Sequence, residues 1–232
     1  MTDVADDAAQ LDPLSPSARR LLRRPRPAFR GVLHRWAAIG SVLLGVVLVV
    51  VADGSRSRLA LGAFAVGTTF MLSVSAFVHH RDWGVRHVEN LVRLDHSAIF
   101  VMFATSTTPT ALLGLEGRAS GWMIGAMWAG ATAGIVAEWL PVHPPPGVVN
   151  TVYMVLGWSM LVFLPSMLRD LTALELALMF GGGAAYTIGA VIVGSRRPDP
   201  WPDVFGYHEI WHALVVVAVV LHGGLALTLG TG

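Results

Sequence analysis

The sequence predicts an all-α bundle of seven membrane-crossing helices, with the N-terminus cytoplasmic and the C-terminus outside. Three observations carry that prediction. Hydrophobic residues make up 54% of the 232 and charged ones only 13%, with mean hydropathy +0.61, a balance that excludes an ordinary soluble domain. Seven stretches reach the ~20 mainly apolar residues that a helix needs to cross a hydrocarbon core. The arginines, which supply all 16 basic residues, divide unevenly between alternate loops.

The polar segment 1–30 comes first, acidic as far as Asp12 and basic from Arg19 onward. It lacks the short basic start, apolar core and small-residue cleavage site of a signal peptide. Its composition predicts a disordered, arginine-rich cytoplasmic tail held against anionic lipid. Because the basic run abuts a membrane segment, nucleic-acid binding is excluded. Residues 31–232 then form one transmembrane domain, with expected spans at 33–52, 59–79, 95–114, 121–140, 149–167, 172–193 and 207–229. The breaks carry turn chemistry: Asp53-Gly54, Arg81-Asp82-Trp83-Gly84, Glu116-Gly117, Pro144-Pro145-Pro146-Gly147, Arg169-Asp170 and Pro198-Asp199-Pro200. With the N-terminus inside, the inner segments hold Arg19, Arg20, Arg23, Arg24, Arg26, Arg30, Arg35, Arg81, Arg86, Arg93, Arg196 and Arg197, and the outer loops only Arg56, Arg58, Arg118 and Arg169. Twelve against four sets the orientation.

Cysteine is absent, so any transition-metal site must draw on His, Asp, Glu or water. The last span opens with His208-Glu209-Ile210-Trp211-His212, which puts two imidazoles at i and i+4 on one helix face. The expected topology brings the end of span 2, at His79, and the start of span 3, at Asp95, to the same depth. Ser75 lies one turn above His79. Ionisable groups inside a bilayer are costly, so their convergence points to a site. His79, His208 and His212 would ligate zinc with a fourth position open to water. Asp95 would serve as general base or additional ligand, and Ser75 would orient Asp95 or polarise a substrate carbonyl. Zinc lowers the pKa of its bound water to ~7, a chemistry suited to an ester or amide bond of an inner-leaflet lipid.

Other residues have plainer readings. His-Glu-x-x-His also spells the zincin protease motif with Glu209 as base, but its third ligand would lie downstream, and His222 stands about 15 Å beyond His212 along a helix. His222 is expected to hydrogen-bond a neighbouring helix. His34, His87, His96 and His143 are expected among headgroups, Glu138 is a possible buried acid, and Asp95 can also cap the start of span 3.

Three blocks, Ser75-Ala-Phe-Val-His79, Leu94-Asp95-His96-Ser97-Ala98-Ile99 and Phe205-Gly206-Tyr207-His208-Glu209-Ile210-Trp211-His212, resemble the signatures of the hemolysin III family. Thr107-Thr108-Pro109-Thr110 fits the family's short Thr-Pro element. That family is grouped with the progestin and adipoQ receptors and, more distantly, the alkaline ceramidases. The resemblance implies a seven-helix fold, a zinc ion near the inner leaflet on His79, His208 and His212, Asp95 hydrogen-bonded to the zinc water, and Ser75 nearby. It also implies a bacterial plasma-membrane location, membrane lipids as partners, and a link to hydrolysis of ceramide-like amides or to lipid homeostasis. Two departures stand out. Phe29-Arg30-Gly31 occupies a region where many relatives carry an acidic residue and Asn, and Val78 precedes His79 where an aromatic is common. The leading expectation is a zinc-dependent hydrolase of a lipid amide or ester. A non-enzymatic receptor or regulator with a structural zinc is the alternative. A cytolytic pore is disfavoured because no span repeats a polar face.

Overall fold

A computed structural model describes residues 13–23, 26–145 and 147–231. Among these the secondary structure is helical apart from a single isolated bridge between Trp201 and Phe205. The helices are α1 (Pro16–Arg23), α2 (Val32–Val51), α3 (Gly54–His79), α4 (Val85–Pro109), α5 (Gly117–Glu138), α6 (Val148–Trp158), α7 (Leu164–Asp170), α8 (Ala173–Ser195) and α9 (Tyr207–Gly230). Among the described residues six helical segments are long and apolar enough to cross a membrane: α2, α3, α4 with its extension to Gly114, the run Val148–Asp170, α8 and α9. α5, with 22 residues, has the length but not the hydropathy, because glycine, alanine and tryptophan fill positions that valine and leucine hold elsewhere.

The helix boundaries differ from expectation at several places, α3 and α5 starting earlier at Gly54 and Gly117. Pro16–Arg23, expected in a disordered tail, is helical. Ser15 caps it through Ala18 N–H (3.2 Å), Pro16 fits a first-turn position that needs no N–H, and Leu14 and Ala18 pack on Val88 and Val92. Residues 1–12, 24 and 25 of that tail lie outside the described residues. The third span begins not at Asp95 but at Val85, after an extended Gly84. Val85, Val88 and Val92 recur on one face and bury against α1, so a charged stretch still forms an amphipathic helix. The run 148–170 is longer than expected and carries a 3-10 turn over Ser159–Phe163. Pro165 follows in the first turn of α7, where its missing N–H breaks the ladder.

Packing follows the small residues. Gly67 of α3 faces Thr105 of α4 so closely that a Cβ on it would sit 1.8 Å from Oγ1. Thr105 Oγ1 donates to Val101 O (2.9 Å) and Met102 O (3.2 Å), so its polar atom is satisfied within the helix. Gly182 and Gly189 of α8 make room for His222 and Trp211 of α9. At the far end Asp53 N–H donates to Gly230 O (2.9 Å), tying the α2–α3 turn to the end of α9. α8 opens on a reciprocal cap between Thr172 and Glu175.

Connectivity then decides what meets at the near end. α3 and α5 finish there and α2, α4, α6 and α9 begin there, so every residue proposed for the site lies at or near one end of the bundle.

Candidate metal centre

His79, at the last position of α3, meets His208 and His212 from the first turns of α9. One nitrogen from each lies within 4.8 Å of the other two. The ring centroids are 4.8 Å apart for His79–His208, 5.1 Å for His79–His212 and 4.6 Å for His208–His212. His79 and His212 are buried and His208 half-buried. Zinc–nitrogen bonds of about 2.0–2.1 Å hold two ligand atoms no more than ~4.2 Å apart, so small ring rotations bring all three onto one ion. His79 Nδ1 and His208 Nε2 are buried without a hydrogen-bond partner. An unpartnered buried nitrogen costs roughly 1–3 kcal/mol, and a shared cation removes that cost at both. The donor set fits zinc.

Asp95 approaches from α4, its Oδ2 3.5 Å from His79 Nε2. It sits three turns into the helix rather than at its N-cap, because the helix starts at Val85. A carboxylate behind a ligating imidazole fixes its tautomer and leaves the other nitrogen for the metal. Here that other nitrogen is the unpartnered Nδ1. Ser75, one turn before His79, is buried and faces the same cavity as Asp95.

The structure adds residues that the sequence did not suggest. His34, expected among headgroups, is 2% exposed and stacks on His212 with centroids 3.8 Å apart and planes 14° apart. Both its nitrogens are buried without partners. The sequence carried no signal for it, since the stripe that His34 shares with Ser41 and Gly45 on α2 shows only once the helix is packed. Gly31, at φ 75, precedes that helix, and a Cβ there would lie 3.1 Å from the backbone carbon of His79. The left-handed turn and the close approach both select glycine.

Glu209, the second residue of the His-Glu-x-x-His block, is 1% exposed. Its Oε1 accepts from Arg30 Nε (2.6 Å) and its Oε2 from Gly206 N–H (2.9 Å). Both oxygens are thus engaged away from the histidines, which removes the zincin assignment of Glu209 as a base. Arg26 donates to the carbonyl of His79, a second link from the N-terminal segment to the cluster. His96 turns away from the cluster, its Nδ1 3.2 Å from both oxygens of Glu138, which gives that acid its partner. His143 is exposed and pairs with Glu89 at 3.1 Å. His222 meets Met179 O at 3.3 Å on α8, as expected of a buried histidine between helices.

A cavity of about 850 Å³ runs from the histidines into the bundle, within the ~300–1,000 Å³ typical of ligand sites. Its walls come from α3, α4, α5, α6, α8 and α9 and are mainly apolar, with Met71, Ile99, Phe103, Met127 and Val215 among them. Ser75, His79, Asp95, His208 and His212 line one end, and His222 lies deep within it.

Comparison with known proteins gives consistent matches. The family model described as Haemolysin-III related matches residues 22–223. Hemolysin-3 of Bacillus cereus is 27% identical over 192 residues, covering 80% of this chain and 83% of the relative. The hemolysin-3 homolog of Bacillus subtilis (strain 168) is 26% identical over 187 residues, covering 80% and 85%.

Proposed function

Because this chain belongs to the haemolysin-III related family and is a membrane protein with several apolar helices, we propose that it is a zinc-dependent hydrolase of a lipid amide or ester. The carrying observation is the placement of His79, His208 and His212, with nitrogens within 4.8 Å, at one end of an apolar cavity of about 850 Å³. In this reading α5 completes a seven-span bundle in a bacterial plasma membrane, with the N-terminus and the histidine end at the cytoplasmic face.

His79 Nδ1, His208 and His212 would hold the ion. Zinc on three neutral imidazoles keeps a position open, and when bound it supplies the Lewis acidity that polarises a carbonyl and acidifies water. The apolar wall binds the acyl chain and excludes bulk water. Asp95, 3.5 Å from His79 Nε2, would orient that ring and accept the proton released when water adds to the carbonyl. It would then return that proton to the leaving amine or alkoxide. Ser75 borders the same space and is suited to hydrogen-bond the carbonyl as it polarises.

The first experiment is metal content by elemental mass spectrometry on wild type and His212→Ala, followed by hydrolysis of a short-chain ceramide and a lysophospholipid. About one zinc per chain, lost in the variant, with turnover lost in Asp95→Ala while zinc remains, is the expected pattern. Zinc-free, well-folded wild type would overturn the metal assignment. Full zinc with no turnover on any lipid amide or ester would leave the non-enzymatic regulator with a structural zinc.

A further inference from the structure

Arg30 is a half-buried cation with only part of its hydrogen bonding made within the protein. Its side chain is 11% exposed. Nε donates to Glu209 Oε1 at 2.6 Å, and among the described residues neither Nη atom has a partner. A guanidinium carries five N–H donors in a planar fork, so four remain for other partners beside the cavity that Arg30 lines. Those donors are available to an acceptor that enters the cavity. Arg20 and Arg26 line the same mouth. The acids there are already committed: Glu89 accepts from Arg93 and Ser15, Glu138 faces His96, and Asp95 faces His79.

We propose that Arg30 binds the phosphate of an anionic amphiphile whose chain occupies the apolar cavity. The fork matches two phosphate oxygens at once, which an ammonium cannot do. Glu209 fixes the guanidinium plane by holding Nε and leaves the Nη edge free for the ligand. The apolar walls behind it explain why the phosphate should carry a chain. The assignment gives the proposed hydrolase a headgroup class, yet it rests on Arg30 and the cavity and not on the metal.

The test is calorimetric binding of dodecyl phosphate, dodecanol and inorganic phosphate to the full chain in neutral detergent, as purified and after chelation. Wild type should bind dodecyl phosphate at least tenfold more tightly than dodecanol, with or without chelator, and inorganic phosphate far more weakly. Arg30→Gln should abolish the preference. Arg30→Lys, which keeps a cation for Glu209 and therefore the fold, should cut it at least threefold. Equal affinity for dodecanol and dodecyl phosphate would overturn the proposal, as would an unchanged preference in Arg30→Lys. A preference that vanishes on chelation of wild type would place the phosphate on the metal and not on Arg30. Inorganic phosphate binding as tightly as dodecyl phosphate would exclude an amphiphile. A zinc-free protein would leave this result untouched while removing the hydrolase reading.

Discussion

Removing the Glu209 carboxylate tests how the N-terminal segment is held to the histidine end. Arg30 and Glu209 are 179 positions apart in sequence, with side chains 11% and 1% exposed. Taking one partner from a buried pair leaves the other charge uncompensated, at a cost of about 3–5 kcal/mol. Glu209→Ala also strips the acceptor from Gly206 N–H at the start of α9, adding up to ~1 kcal/mol. For a domain of this size each kcal/mol moves the melting temperature by about 2–4 °C, so the loss should be on the order of 10 °C. Glu209→Gln keeps the shape and one acceptor and should lose about half as much. Thermal unfolding of the detergent-purified variants, followed by tryptophan fluorescence, reads both. In a double-mutant cycle with Arg30→Gln, the second substitution should add little to the first. A Glu209→Ala protein melting within ~2 °C of wild type would refute the reasoning, because the pair would then be hydrated and not structural.

Further outcomes follow from individual contacts. Gly31→Ala forces a side chain into the left-handed region and against the His79 backbone at 3.1 Å; it should cost ~1–2 kcal/mol and weaken metal retention, measured by elemental analysis after dialysis. Gly67→Ala drives a Cβ to 1.8 Å from Thr105 Oγ1 and should destabilise by ~1–3 kcal/mol in the same melting assay. Chelation should lower the melting temperature of wild type, since a ligand at 100 times its Kd stabilises by ~2.7 kcal/mol. The same treatment should leave His208→Ala unchanged. Ala18→Arg puts a charge where α1 buries against Val88 and Val92 and should expose the α1 region to protease cleavage.

The helical architecture was legible because hydrocarbon thickness dictates segment length, and hydropathy reports it directly. The histidine triad was legible for a different reason: i, i+4 spacing and helix parity together put His79, His208 and His212 at one depth. What escaped detection has physical causes. Arg86, His87, Glu89, Asn90 and Arg93 mask the start of α4 in any hydropathy window, although the valines among them keep helical spacing. Arg30 and His34 belong to the site through contacts that no local pattern encodes. Arg30 reaches Glu209 across nearly the whole chain, and His34 stacks on His212 from a helix equally remote in sequence. Glu209 looked like a catalytic base by spelling, and its burial between Arg30 and Gly206 is tertiary information.

The wall formed by Val148–Trp158 and the following 3-10 turn contains no buried residue, although Val148, Val152, Tyr153 and Trp158 border the cavity. Side-chain hydrogen bonds tie it to its neighbours through Asn150 to Ala190 O, Tyr153 to His96 O and Trp158 to Thr187, whereas α3 and α4 are locked by Thr105 against Gly67. A molecule that enters the cavity past this wall would come sideways from the hydrocarbon. For a molecule arriving that way, the relevant concentration is its mole fraction among the bilayer lipids and not its molarity in water. Occupancy should then follow dilution by other lipids at constant bulk concentration.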